Sequence, residues 1–359
     1  MKLIIQIPCL NEEAQLPATV ADLPRHVPGF DEVEFLIIDD GSTDRTVDVA
    51  RKLGVEHIVK LTNNKGLAYA FQAGLDASLK LGADVIVNTD ADNQYAAGDI
   101  AALVKPVVDG HADMVVGDRE VMTIEHFSPL KKRLQKLGSW VLRQASDTGV
   151  PDATSGFRAY NREAALRLTV VSKFTYTLES LIQAGKSLVA VTSVPVGTNP
   201  QTRESRLFPS MWTYIRRNVA AIFRIYTSYE PLRVFSILAG VLAVMGLLAW
   251  VPYLWDWFRD SGRSGHIQSV ILGGVLLLAA LQVFVLGVIA DLIATNREVT
   301  QRALERVRRV ELQLGVPPTH YHHAPDLNGA AEMPDGQVDP GPPAEAAEPV
   351  ERDGHFSPR

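Results

Sequence analysis

Two stretches free of Asp, Glu, Lys and Arg constrain this chain more than anything else in it. Val234 to Trp255 gives 22 such residues between Arg233 and Asp256, and Ser264 to Ala290 gives 27 between Arg263 and Asp291. Both are rich in Leu, Val and Ala. About 20 apolar helical residues cross the ~30 Å hydrocarbon core of a bilayer, so each run is long enough to span. Two buried helices of a soluble domain are the alternative, but such helices normally carry a polar stripe, and neither run has one.

The flanking charges orient the hairpin. Residues 203–233 hold six Arg and residues 297–309 hold five, whereas the loop Asp256 to Arg263 has two Arg balanced by two Asp. By the positive-inside rule both outer flanks are cytoplasmic and the loop is external. Trp250, Tyr253, Trp255, Trp257 and Phe258 cluster at that external end, as an interfacial aromatic belt does. The expectation is a cell-membrane protein with two helices within 232–295 and with the first 200 residues and both termini in the cytoplasm. Met1 to Pro8 carries one Lys and a short apolar stretch before Asn11-Glu12-Glu13, and reads as a first strand rather than a signal peptide. Cys9, the single cysteine, reads as a small buried residue without a role.

The formal net charge of -6 is unevenly spread over the 359 residues. Residues 1–202 carry 20 basic against 25 acidic side chains, residues 203–314 carry 13 against 8, and residues 315–359 carry 2 against 8. A basic middle block fits an anionic membrane surface; nucleic acid is not expected beside two membrane spans. The last block holds nine prolines and is expected to be a disordered acidic tail. His320, His322 and His323 begin that tail, and no ordered metal site is expected from them. A helix at 296–314 separates it from the hairpin.

The first 202 residues alternate strand-like and helix-like patterns. Strand-length apolar runs occur at Leu3 to Ile7, Glu34 to Ile38, His57 to Leu61, Asp84 to Asn88 and Asp113 to Val116. Helical patterns lie between them at Glu13 to Leu23, Asp44 to Leu53, Leu67 to Lys80 and Ile100 to Val108. That alternation predicts an α/β fold with a mostly parallel sheet and helices on both faces. Ligands of such sheets bind beyond the carboxyl ends of the strands. Polar residues stand there: Pro8 to Glu12 after the first strand, Asp39-Asp40-Gly41-Ser42-Thr43-Asp44 after the second, and Thr89-Asp90-Ala91-Asp92-Asn93-Gln94 after the fourth.

Asp44 is placed to cap the helix that follows it, whereas Asp39 and Asp40 lie too far ahead of that helix to do so. Asp90 and Asp92, one residue apart, can turn their oxygens around one hard divalent cation, which would bridge a diphosphate and neutralise charge on a leaving nucleotide. Gly185-Lys186-Ser187 resembles the end of a phosphate-binding loop, but Ser180 occupies the required upstream glycine position and breaks the pattern.

Together these strings, with Asn64-Lys65-Gly66, Ala70 and Gly74, resemble a family-2 glycosyltransferase. The string Asp152 to Tyr160, reading DATSGFRAY, and the two membrane helices look like the polyprenyl-phosphate hexose synthase branch. The resemblance covers residues 1 to about 310. It implies a GT-A nucleotide-sugar-binding domain, Rossmann-like, at 1–202, a UDP- or GDP-hexose donor and Mg2+ or Mn2+. It also implies inverting transfer onto undecaprenyl or dolichyl phosphate. Residue by residue, Pro8, Leu10, Glu12 and Asp39 would line the nucleoside pocket with Asp40 close by. Asp90 and Asp92 would hold the metal, and Gln94 the diphosphate beside them. The family leaves room for a homo-oligomer.

A phosphate acceptor is already largely dianionic near neutrality, its second pKa being about 6, so it needs cations rather than a base. Arg119 is one candidate, although the Gly-Ser-Arg of the family reads Gly117-Asp118-Arg119 here. Lys131, Lys132 and Arg133 are others. They open a stretch, Phe127 to Ser146, with five bases and no acid, and with Leu130, Leu134, Leu137 and Val141 on one helical face. The stretch suits an amphipathic interfacial helix or an ordinary surface helix. Where the family often has Arg-x-x-Gly-x-Ser-Lys, this chain has Pro200 and Arg203 at the Arg and Gly positions and Ser205-Arg206 for Ser-Lys. Arg203 and Arg206 are expected on the donor phosphate side. Met211 to Tyr226 mixes Trp212, Tyr214, Ile215, Ile222 and Phe223 with Arg216, Arg217 and Arg224, as a helix at the headgroup level would. Two further readings stay open: transfer to a lipid or polysaccharide hydroxyl, and a non-catalytic membrane scaffold that keeps a sugar-nucleotide pocket.

Overall fold

A computed structural model describes residues 1–119, 146, 148–170, 176–199, 224, 226–227, 229–259 and 266–323. Lys131, Lys132, Arg133, Arg203 and Arg206 lie outside the described residues, as do nearly all of 127–146 and 211–226, the loop 260–265 and the tail from 324.

The apolar runs form strands because both of their faces find cover. The described strands are β1 (Lys2–Cys9), β2 (Glu32–Asp39), β3 (His57–Lys60), β4 (Val85–Asn88), β5 (Met114–Asp118), β6 (Arg158–Asn161), β7 (Val191–Pro195) and β8 (Tyr321–His323). They make one sheet in the order β7-β5-β6-β4-β1-β2-β3-β8. Only β6 and β8 run antiparallel to their neighbours. Side chains alternate across the pleat: Ile4, Leu36, Ile38, Ile86 and Met114 enter one core, and Leu3, Ile5, Phe35, Ile37 and Val87 the other.

Helices α3 (Leu67–Lys80), α5 (Arg162–Arg167) and α6 (Tyr176–Lys186) cover the first face, and α1 (Leu16–Asp22), α2 (Thr46–Lys52) and α4 (Ile100–Val108) the second. The expected strand and helix order is therefore found. β6, β7 and β8 were not expected: β6 and β7 complete one side of the sheet, and β8 pairs with β3 at the other edge.

β8 corrects the expected boundary of the tail. Residues 321–323, counted within a disordered segment, are a sheet strand. The His57 imidazole sits between the Tyr321 hydroxyl, 2.8 Å from Nδ1, and Glu34 Oε2, 2.7 Å from Nε2. That buried anchor gives the strand an ordered partner that its composition did not reveal.

The two uncharged runs lie in α7 (Pro231–Arg259, 29 residues) and α8 (Ile267–Gln313, 47 residues), which are candidate membrane spans. Their outer faces expose Leu238, Val241, Leu248, Leu278 and Leu281, and they pack on each other through glycines. A Cβ at Gly273 would stand 2.2 Å from the Trp250 ring, and one at Gly287 2.6 Å from Phe235 Cβ. Small residues let the backbones close in where lipid supplies no hydrophobic drive between helices. α8 continues well past the apolar run, so the expected helix at 296–314 is one piece with the second span.

The turn after β2 depends on Gly41. Its φ is 75°, and a Cβ there would lie 2.6 Å from the backbone of Asn63 and Asn64. Gly54 has a similar φ of 71° but open space around it. Gly41→Ala should lose about 2–3 kcal/mol of stability and Gly54→Ala about 1 kcal/mol. Denaturation followed by near-UV circular dichroism checks this; equal losses would remove the steric argument.

Candidate active site

Three parallel strands end side by side, and their polar loops are laced together by hydrogen bonds. Asn11 (φ 55°) accepts the Thr43 N–H at 2.8 Å, and its own N–H donates to Ser42 Oγ at 2.9 Å. The Glu12 N–H donates to Thr46 Oγ1 at 2.9 Å, while the Glu12 carbonyl accepts from Gln15 and Leu16 and so starts α1. Asp44 accepts the N–H groups of Thr46 and Glu13 at 3.0 and 3.2 Å, which fixes the entrance to α2. Those bonds hold its carboxyl below the ordinary range against the opposing effect of burial. Asp44 thus bonds the first residue of α2 from the position before its N-cap, Arg45, rather than capping the helix as expected.

Asp39 is fully buried; Oδ1 accepts the Ser42 N–H at 3.1 Å, and Oδ2 has no hydrogen-bond partner among the described residues. Asp40 is committed elsewhere. Its two oxygens accept the backbone N–H groups of Lys65 and Gly66 at 2.7 and 2.9 Å, clasping the loop before α3. Burial nevertheless raises its pKa, with help from Asp39. Pro8 is buried in β1 opposite Ile38, Leu10 is half-buried beyond the strand end, and Glu12 is buried.

Beyond β4, Asp90, Asp92 and Gln94 are all partly exposed, and Asp92 Oδ1 accepts the Gln94 N–H at 3.2 Å. Burial pushes the Asp90 pKa up to about 6, Asp92 adds to the rise, Arg119 and Arg158 oppose it, and Glu12 contributes a smaller increase. A carboxyl held in the field of a second one is relieved by a cation between them. No cluster of three or more His, Cys, Asp or Glu occurs among the described residues. Two carboxylates fit Mg2+ or Mn2+, which keeps waters and takes its remaining oxygens from substrate phosphates; they do not fit a structural zinc site.

Arg119 is fixed beside this pair. Nε and Nη2 bond both oxygens of Asp152 at 2.7 and 3.1 Å, Nη2 also reaches Thr154 Oγ1 at 3.0 Å, and the guanidinium lies 6.0 Å from the Tyr95 ring centroid. A bidentate fork leaves the plane of the guanidinium little freedom. Asp152, almost wholly buried, is held below the usual carboxylate range by Arg119 against the cost of burial.

Several residues that shape the site escaped the sequence reading. Asn88 Nδ2 donates to the Gly156 carbonyl at 2.8 Å and to the Tyr176 hydroxyl at 3.0 Å, and Asn88 Oδ1 accepts from Gln6 Nε2 at 2.9 Å. Tyr95 Oη accepts the Gly156 N–H at 2.9 Å. A Cβ on Gly156 would stand 2.6 Å from the Tyr176 hydroxyl and 3.2 Å from the Asp90 carboxylate. Arg158, fully buried, bonds the carbonyls of Ser155 and Ala153 and the Ser180 hydroxyl. The signal for Asp152, Gly156 and Arg158 lay in the string DATSGFRAY. Asn88 could be suspected only as a polar end to an apolar strand.

Residues 4–169 match the model of Glycosyl transferase family 2. The chain is 31% identical over 214 residues to the UDP-N-acetylglucosamine–dolichyl-phosphate N-acetylglucosaminyltransferase of Methanococcus voltae, which covers 54% of this chain and 83% of that protein. This chain belongs to glycosyl transferase family 2. The family-2 glycosyltransferase is also 30% identical over 204 residues to the polyprenol monophosphomannose synthase of Mycolicibacterium smegmatis, covering 54% of this chain and 76% of the other. Its likeness to the low-salt glycan biosynthesis hexosyltransferase Agl6 of Haloferax volcanii, 28% identical, spans 79% of this chain and 67% of that protein. Among solved structures it shares its fold with the glucosyl-3-phosphoglycerate synthase of Mycobacterium tuberculosis in complex with UDP, at a TM-score of 0.50 and 20% identity, over 63% of this chain and 80% of that one.

The raised Asp90 pKa fixes the sign of a pH effect. With a native pKa of about 6 against about 3.9 unfolded, the native state holds the proton more tightly. Ionisation of Asp90 therefore costs stability from about pH 4 upward and in full above about pH 6. In metal-chelated enzyme, Asp90→Asn should unfold at a higher temperature than the parent at pH 7.5, with the difference vanishing near pH 4. Mg2+ or Mn2+ should raise the parent's unfolding temperature and leave Asp90→Asn unmoved. Scanning calorimetry reads both effects, and a parent more stable than Asp90→Asn without metal would contradict them.

Proposed function

We propose that this glycosyltransferase moves a hexose from a nucleotide diphosphate sugar to a polyprenyl phosphate, undecaprenyl or dolichyl, with inversion at the sugar carbon. The transfer takes place at the cytoplasmic membrane face. The observation that carries this reading is Arg119, locked by Asp152 beside the Asp90/Asp92 pair in a chain with two candidate membrane spans. The names of the dolichyl-phosphate and polyprenol-phosphate relatives support the acceptor. The Mn2+ and UDP-glucose bound to the glucosyl-3-phosphoglycerate synthase from Mycobacterium tuberculosis support a metal-bound donor.

Pro8, Leu10, Glu12 and Asp39 line the nucleoside side. The unpartnered Asp39 Oδ2 offers a buried acceptor for an N–H of the base. Asp90 and Asp92 would hold Mg2+ or Mn2+, with Gln94 next to the diphosphate. When bound, the ion neutralises charge that develops on the leaving diphosphate. A phosphate oxygen of the acceptor forms the new bond to the anomeric carbon as the bond to the nucleoside diphosphate breaks, and the diphosphate leaves with the electron pair. No proton has to be removed, because the acceptor arrives as a largely dianionic monoester.

Arg119, whose Nη1 makes no hydrogen bond among the described residues, presents a fixed charge to that phosphate. Lys131, Lys132 and Arg133 steer it from the membrane side, and Arg203 and Arg206 serve the donor phosphates. A hydroxyl acceptor would need a carboxylate base instead. Among the described carboxylates around the site, Asp40 is held by Lys65 and Gly66, Asp44 by Thr46 and Glu13, and Asp152 by Arg119.

Purified full-length enzyme with Mg2+ or Mn2+ should consume a UDP- or GDP-hexose only when polyprenyl phosphate is supplied, giving an acid-labile phosphodiester-linked sugar. Asp92→Asn should abolish turnover, and Asp152→Asn should lower kcat about tenfold or more by freeing Arg119. An acid-stable glycoside as product, or full activity in Asp92→Asn, would overturn the assignment.

A further inference from the structure

Helix α6 is gripped by the helical hairpin at its last residue and one turn from its start, where it also touches the carboxylate site. At its last residue, Lys186 Nζ lies 2.5 Å from Glu230 Oε1, and Glu230 immediately precedes α7; Arg233, inside α7, holds the other oxygen at 2.9 Å. One turn into α6, Glu179 is buried to 4% side-chain exposure and pairs at 3.1 Å with Arg297 of α8. Arg297 also donates to the Tyr229 hydroxyl at 3.1 Å, with its guanidinium 4.6 Å from that ring's centroid. Arg297 stands seven positions beyond Ala290, the last of the uncharged run. That is about 10 Å of helix, so the pair lies near the polar rim of the bilayer, level with the start of α7.

The same turn of α6 reaches the site. Tyr176 takes the Asn88 amide proton at 3.0 Å, and its hydroxyl and the Asp90 carboxylate flank one point beside Gly156, 2.6 and 3.2 Å from where a Cβ would stand. Ser180, next to Glu179, takes a proton of the buried Arg158 at 2.8 Å.

We infer that α6 is the bearing that sets the height of the carboxylate site above the membrane. Glu179 and Arg297 are then positioning residues for an acceptor delivered in the bilayer. The inference rests on the lipid-phosphate reading given above. A rigid α6 fixes how far Asp90 and Arg119 stand from the plane in which the lipid's phosphate lies. A short acceptor arriving from solution does not depend on that height, and the nucleotide sugar does not either. Cutting the pair therefore separates acceptors by where they come from, which a general loss of folding would not do.

The test compares the full chain reconstituted in vesicles containing long-chain polyprenyl phosphate with the full chain in detergent given a two-isoprene phosphate. In Glu179→Gln, kcat/KM for the vesicle acceptor should fall about ten- to a hundredfold, while the nucleotide-sugar KM and turnover of the short acceptor stay within about twofold. Arg297→Gln should behave alike, and the double variant should be no worse than the poorer single one. Should Glu179→Gln fail to fold, Arg297→Gln, with 30% of its side chain exposed, carries the test. Hydrogen exchange of the α6 amides, which needs no activity, should quicken in Arg297→Gln. Equal losses with both acceptors, no loss with either, or unchanged exchange would each overturn the inference. A parent that uses neither lipid phosphate would instead overturn the reading of function, leaving the exchange result to decide the role of α6.

Discussion

The side-chain amide of Asn88 is the junction on which the rest of the molecule depends. It is fully buried at the end of β4, and it joins four elements at once: Gln6 of β1, Gly156 in the loop before β6, Tyr176 of α6, and through its own backbone the Asp90/Asp92 loop. A buried amide of this kind has four hydrogen-bonding positions and is costly when they go unfilled. Its partners are consequently held in one arrangement. Asp90 and Asp92 sit two and four residues further on, so their placement is inherited from this junction rather than made by the loop alone.

Electrostatically the site is built from unequal parts. Asp39, Glu12, Asp90 and Asp92 gather negative charge at the carboxyl ends of three strands, and Arg119 and Arg158, the cations that favour the ionised Asp90, are both immobilised. Arg119 is held by a carboxylate, and Arg158 by the carbonyls of Ser155 and Ala153 and the Ser180 hydroxyl. A buried guanidinium satisfied by neutral oxygens keeps its full charge directed at its surroundings. Arg158 thereby opposes the carboxyl repulsion without occupying either carboxylate.

Much of this was legible beforehand, for identifiable reasons. Hydrophobic runs bounded by Asp, Asn and Gly mark β1 to β5 because a sheet covered on both faces needs nearly continuous apolar strands. The uncharged stretches in α7 and α8 stand out because nothing soluble requires them. Asp90, Asp92 and Asp39 were visible as strand-end carboxylates. What could not be read was direction. Asp40 looks like Asp39 in sequence, yet it faces the Lys65–Gly66 loop, and only the close pass of that loop at Gly41 decides this. Asp152 and Tyr176 enter the site from 33 residues beyond Arg119 and 88 beyond Asn88, separations that no local pattern encodes.

The pairing of β8 with β3 bears on how the protein is made. β3 ends at Lys60, and the strand that closes its outer edge begins at Tyr321, after α7 and α8 have both been synthesised. An open strand edge is a template for unwanted association, and chains emerge from the amino-terminal end. The β3 edge of the sheet therefore stays open until both candidate membrane spans have been synthesised. Pairing of β8 with β3 can follow only once α7 and α8 are both complete and the chain beyond them has come back to the sheet.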